Sequence, residues 1–148
     1  MCEDFVTPDT ELIPAWRVMQ TQKKDNQTSV YRHYRNCCEK LGVPGTTHAL
    51  DQMMVLDYLI ANEDRHFNNF GLLRNPDTLE WLGPAPIYDS GSSLDYDKLT
   101  PQIRSGRNII CKPFKKTHQD QLRLVTSFDW LDPTQLDGLD QDTTPYTP

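Results

Sequence analysis

Residues 57–71, Asp57-Tyr58-Leu59-Ile60-Ala61-Asn62-Glu63-Asp64-Arg65-His66-Phe67-Asn68-Asn69-Phe70-Gly71, run from an apolar helical pattern into a polar loop. Upstream, Ala49, Met53, Leu56 and Ile60 recur at helical spacing, and Met54, Val55, Tyr58 and Leu59 widen the stripe until little of the circumference is polar. That pattern predicts a buried central helix over about 47–61, capped by Thr46 or Thr47. A loop at the end of a rigid core helix can hold side chains to the tolerance that catalysis requires, so Asp64, His66 and Asn69 are candidate site residues. Some twenty residues on, Pro86-Ile87-Tyr88-Asp89-Ser90-Gly91 reads as a short buried strand ending in a second carboxylate on a glycine turn. Two element ends, each presenting one acidic group, suit a site for a divalent cation and a phosphate.

Around this centre the remaining signals are shorter. Phe70–Arg74 and Glu80–Leu82, separated by Asn75-Pro76-Asp77-Thr78, read as a hairpin, and Pro84–Tyr88 as an edge strand whose prolines suit an entry. Near the start, Cys2–Val6 and Glu11–Val18 read as extended pieces joined by a turn at Thr7-Pro8-Asp9-Thr10, a hairpin or hinge. After the polar break Lys23–Gln27, Thr28 can cap a helix over about 29–40 with Val30, Tyr34 and Cys37 or Cys38 on one side. Gly42 stops that helix and Val43-Pro44-Gly45 turns the chain. Leu122, Leu124 and Val125 predict a helix over about 115–126, and Pro133 with Leu136 a last helical turn. Residues 138–148 hold too little apolar content to fold and read as a disordered acidic tail.

Composition narrows the function classes. The 148 residues, 36% of them hydrophobic, suffice for one ordinary domain with one core. A net charge of −6, from 21 acids against 15 bases, argues against direct nucleic-acid binding, which needs a basic face. One stretch, Arg104–Lys116, carries five positive charges and no negative one; a solvated surface turn is its simplest reading. Cys2, Cys37, Cys38 and Cys111 form no C-x-x-C pair, and Cys37 and Cys38 would point to opposite sides of a helix, so neither zinc nor a disulfide framework fits. With no export signal and no apolar run approaching a membrane span, the expected compartment is a reducing cytoplasm, with no membrane partner.

Phosphoryl transfer asks a protein for a carboxylate that orients or deprotonates the accepting hydroxyl, oxygen ligands for magnesium, and charge around the phosphates. In protein-kinase catalytic loops an Asp is followed five residues later by a metal-binding Asn, and a D-F-G turn lies downstream. Asp64 and Asn69 stand at that spacing, and Asp89-Ser90-Gly91 stands where D-F-G would be. More closely, the run Leu59-Ile60-Ala61-Asn62-Glu63-Asp64-Arg65-His66-Phe67-Asn68-Asn69-Phe70-Gly71-Leu72-Leu73, followed by Ala85-Pro86-Ile87-Tyr88-Asp89, resembles the signature of HipA-like serine/threonine kinases. There the pattern runs L-I-x-N-x-D-x-H-x-x-N-F-x-L-L and later A-P-x-Y-D. The resemblance covers roughly residues 45–95.

What the resemblance implies is a mainly α, protein-kinase-like C-lobe with short β-hairpins, residues 23–137, preceded by a remnant of an N-lobe or hinge hairpin in residues 1–22. Asp64 would be the general base or hydroxyl-orienting residue, His66 would brace the loop, and Asn69 and Asp89 would bind Mg2+ bridging the phosphates of ATP. A protein would be the substrate, and an N-lobe or antitoxin-like chain the partner. Arg65, at a position where family members need no arginine, would on its own chemistry lie within reach of a phosphate, while Asn62 and Asn68 read as amides that fix the loop. The chain departs from the family before residue 45, where no glycine-rich run occurs and the first glycine is Gly42. Each residue also has a plainer reading: Asp64 as a turn cap, Asn69 as an Asx-turn residue, Asp89 as a turn former and His66 as a backbone hydrogen-bonder. A truncated lobe that binds and regulates a partner is the competing function. A metal-dependent phosphoesterase using Asp64, His66 and Asp89 is a weaker one, since two-metal hydrolases use more His and Asp ligands.

Overall fold

The computed structural model describes residues 4–90 and 109–136, and these form a small α/β fold with one three-stranded antiparallel sheet and four helices. Strand β1 is Glu11–Pro14, β2 Gly71–Arg74 and β3 Trp81–Pro84, in the order β1-β2-β3. The expected hairpin at Asn75–Thr78 forms, with Asn75 N–H bonded to the Glu80 carbonyl. Instead of standing apart, it is joined by β1 in the register Ile13↔Leu72 and Pro14↔Gly71, which makes the fold less purely helical than the expected mainly α C-lobe. Gly71 is required at the crossing: a Cβ there would lie 2.2 Å from the Ile13 carbonyl oxygen.

The extended reading of Glu11–Val18 holds only to Pro14. Ala15–Met19 is a short helix, α1, because Ala15 and Val18, three apart, turn inward together and Pro14 fits its N-terminal boundary. The turn at Thr7–Thr10 is present, but residues 4–6 form no strand, so no hairpin arises there; residues 1–3 lie outside the described residues. Helix α2, Val30–Lys40, is capped by Ser29, whose hydroxyl accepts from the Arg32 N–H at 3.2 Å; Thr28 is one residue too early. Val30 is exposed, and Cys37 and Cys38 are both fully buried, since neighbours about 100° apart on a helix can both face a broad core.

Helix α3, Thr46–Leu59, is the central helix foreseen, buried at Leu50, Met53, Met54 and Val55 and also at Asp51 and Asp57. Its N-cap is Gly45 in the left-handed conformation, with no threonine side-chain cap. At the other end Ala61 adopts φ 52, a turn usually left to glycine, and sends the chain back toward α3. Neither the buried strand expected from Pro86 nor the edge strand expected over Pro84–Tyr88 forms: β3 stops at Pro84, Pro86 has no N–H to offer a ladder, and Ile87 is exposed. Near the C-terminus α4 spans only His118–Leu122, five residues against the twelve expected. The Asp51 carboxylate accepts from Thr126 N–H (3.1 Å), Thr126 Oγ1 (2.6 Å) and Ser127 N–H (3.3 Å), bonds that a continued helix could not make. The last turn, Pro133–Leu136, is a 3₁₀ helix as foreseen, and the acidic tail, residues 138–148, lies outside the described residues.

The core joins β1, α1, α2, α3 and β2 through Ile13, Val18, Tyr34, Leu50, Met54, Phe70 and Leu72. Each such side chain contributes on the order of 1.5–3 kcal/mol by leaving water. Aromatic rings extend the core beneath the polar loop: Phe70 meets Tyr34, Phe67 and Phe114 with centroids 5.3, 6.0 and 5.9 Å away. Among the described residues no helix is long and apolar enough to cross a membrane.

Candidate functional site

The loop after α3 is built on Asp57, in the last turn of the helix. Its carboxylate accepts Asn62 Nδ2 (3.0 Å), Arg65 Nε (3.0 Å) and Arg65 Nη2 (2.8 Å), while Asn62 Oδ1 accepts the Asp64 N–H (3.2 Å). Asn62 thus fixes the loop, as expected. Arg65 does not reach toward a ligand. It is fully buried, and its remaining N–H groups go to the carbonyls of Asn69 (3.0 Å) and Tyr88 and to Ser90 Oγ (3.1 Å). All five guanidinium hydrogens therefore have protein partners. Phe67 and Phe70, packed into the aromatic cluster, pin the rest of the loop to the core.

On this base the polar side chains converge. His66 Nε2 stands 3.9 Å from Asp64 Oδ2, and Asn69 Nδ2 donates to the Asp64 carbonyl at 3.3 Å. Asp64 and His66 are each almost half exposed, whereas Asn69 is 5% exposed. Asp89, exposed and at φ 52, is flanked by the two residues that Arg65 grips, so the segment that bears it is docked against the loop that bears Asp64 and Asn69. A further tie runs from Tyr88 Oη to the Asn68 carbonyl at 2.5 Å, where the backbone of Asn68, not its amide, does the fixing. Gly91 of the expected turn lies outside the described residues.

Lys112 completes the charge distribution. Its Nζ is 2.8 Å from Asp64 Oδ1, and this hydrogen bond is the main cause that holds the Asp64 carboxyl below its ordinary range. The Tyr88 hydroxyl is pushed up by burial. A cavity of about 360 Å³ opens beside Asn69, lined among others by Tyr34, Met53, Phe70, Leu72 and Ile87; it suits a flat apolar group, the charged side chains standing outside it. A more open recess lies on the other flank, between Trp16, His66, Phe67 and Asn68.

Among the described residues no three His, Cys, Asp or Glu side chains assemble into a metal cluster. The donors present are of another kind. Asn69, its amide nitrogen engaged with Asp64, has a carbonyl oxygen to offer, and Asp89 an exposed carboxylate. Hard oxygen donors few in number fit magnesium, which usually keeps water or phosphate in most of its coordination positions. Cys37, Cys38 and Cys111 are free thiols, and burial pushes both Cys38 and Cys111 up to about 12, far from a ligand thiolate.

Two residues of the site escaped sequence reasoning. Asp57 left a signal, a carboxylate in an otherwise apolar stripe eight residues before an arginine. Lys112 left only its membership of a basic segment, part of which, Arg104 to Asn108, lies outside the described residues.

Comparison with known proteins supports the fold. No protein-family model and no curated protein matches the chain. Among solved structures the chain is similar to the proinflammatory kinase CtkA of Helicobacter pylori, at 22% sequence identity and a TM-score of 0.55, over 99% of this chain and 65% of that one. The chain thus spans less than two thirds of that kinase, and the likeness is one of fold.

Proposed function

We propose that this chain is the catalytic lobe of a HipA-like serine/threonine kinase that moves a phosphoryl group from ATP to a protein hydroxyl with magnesium. The observation that carries the reading is the Arg65 grip, which joins the Asp64–Asn69 loop to both neighbours of Asp89. The kinase fold of the neighbour and the order of the two motifs agree with it. In this reading Asp64 orients and accepts the proton of the acceptor hydroxyl, and its half exposure leaves it open to a protein substrate. Asn69 and Asp89 hold the cation, and His66 keeps the Asp64 carboxylate in place. Bound magnesium would neutralise charge on the transferring phosphoryl group. The left-handed backbone at Asp89, an uncommon geometry for a non-glycine residue, fits a residue held for function.

The test is magnesium-dependent ATP binding by calorimetry together with phosphoryl transfer. Asp89→Ala abolishes binding; Asp64→Asn abolishes transfer and leaves nucleotide affinity nearly intact. A collapse of affinity in Asp64→Asn would refute the role given to Asp64. The second reading, a lobe that regulates a partner chain of antitoxin type, draws on the absence of any glycine in residues 1–41, where a phosphate-cradling loop would be sought. Its signature is tight binding to such a chain with no nucleotide binding at all.

A further inference from the structure

Lys112 belongs to neither motif, yet its ammonium sits 2.8 Å from the carboxylate at the centre of the site. A surface ion pair alone is worth little and forms often by chance. The turn that carries this lysine, however, is built. Gln121, 1% exposed, donates Nε2 to the Lys112 carbonyl at 3.0 Å and accepts the N–H groups of Phe114 (3.0 Å) and Lys115 (3.3 Å). Cys111 N–H closes the turn on the Lys116 carbonyl at 3.0 Å. Phe114 drives it into the core, with ring centroids 5.2, 6.1 and 5.9 Å from Tyr31, Phe67 and Phe70, the last two from the Asp64 loop itself. One aromatic cluster therefore sets both the loop of the carboxylate and the turn of the cation. The loop's own arginine is wholly committed to protein partners, which leaves Lys112 as the cation that meets the Asp64 carboxylate.

On the kinase reading, we propose that Lys112 is a further catalytic residue, which pairs with Asp64 when no nucleotide is bound and contacts the γ-phosphoryl oxygens of bound ATP. In the step it serves, the acceptor O–H bond breaks and its proton passes to Asp64. The acceptor oxygen bonds to the γ-phosphorus, and the bond from that phosphorus to the bridging oxygen breaks with its electron pair leaving on ADP. The turn that carries Lys112 is fixed beside Asp64, and with ATP bound its ammonium would face the charge that builds on the transferring phosphoryl group and lower the barrier.

Calorimetric titration of the full chain with ATP and with ADP, each with magnesium, tests this. The wild type is expected to prefer ATP; Lys112→Ala loses about tenfold in ATP affinity with ADP affinity unchanged, and Lys112→Arg keeps the preference. Unchanged ATP affinity in Lys112→Ala overturns the proposal and leaves the kinase reading standing. Equal loss for ATP and ADP also overturns it, since a merely structural lysine would act on both. A wild type that binds neither nucleotide overturns the kinase reading and this proposal with it.

Discussion

Asp57 and Arg65 meet side by side, Oδ2 to Nε at 3.0 Å and Oδ1 to Nη2 at 2.8 Å, with no exposed surface on either side chain. Such a pair repays the cost of taking two charges from water only when every other polar atom is also satisfied, and here the guanidinium finds its last three acceptors in Asn69, Tyr88 and Ser90. The site is thus organised from beneath, by a fully buried pair.

Removing either partner leaves the other charge buried and alone. Arg65→Ala and Asp57→Ala are each expected to lower stability by about 3–5 kcal/mol in urea denaturation. Arg65→Lys rescues little, because an ammonium cannot reproduce the planar fork. The double variant Asp57→Leu with Arg65→Met should cost clearly less than the sum of the single changes; strict additivity would refute the coupling.

Gly71→Ala places a methyl group 2.2 Å from the Ile13 carbonyl oxygen, so β1 and β2 must separate. The expected loss is about 1–3 kcal/mol. Because Gly71 follows Asn69 by two residues, the amide cross-peaks of Asn69 and Phe70 should shift in the same variant.

The Asp64 carboxyl is held low first by its hydrogen bond to Lys112. A depressed carboxylate is favoured above its ordinary value and loses that advantage as pH falls through the folded value; at nearly half exposure the effect on stability is small. Its titration is the informative readout. Carbon-detected NMR should find the Asp64 midpoint moving upward in Lys112→Ala, toward 3.8, and an unmoved midpoint would show the contact to be absent in solution.

His118 is 1% exposed and, among the described residues, neither ring nitrogen makes a well-formed hydrogen bond; burial lowers its pKa, with the Asp57 carboxylate and the nearby Asn62 backbone opposing. The unfolded chain therefore takes up a proton near 6.5, before the folded one does. Stability should fall as pH drops below that value and level off at the folded value. His118→Phe, which keeps a ring against Tyr58, should flatten the pH dependence of the melting temperature between pH 7 and 5.

How much of this was legible follows from where each signal lived. The central helix and the hairpin announced themselves by period and by turn residues, and the loop residues stood out as candidates by type and spacing, because those are local facts. Helix α4 was overestimated because its apparent continuation, Leu124 and Val125, is overridden by Asp51, a residue 75 positions from Thr126. The strand expected at Pro86–Tyr88 failed on proline chemistry that outweighed its apolar content. Arg65 was misread as facing a ligand because nothing local says that an arginine in a polar loop will turn inward. That depends on Asp57, two turns back, and on two residues more than twenty positions ahead. Lys112 was invisible for the same reason.

Without Tyr88 and Ser90, two of the five Arg65 hydrogens lose their protein acceptors, at about 1–3 kcal/mol apiece wherever water does not replace them. The loop cannot then be finished piecemeal: it locks only when the later segment arrives, so the Asp64–Asn69 loop and the Tyr88–Ser90 segment should order and melt in a single cooperative event.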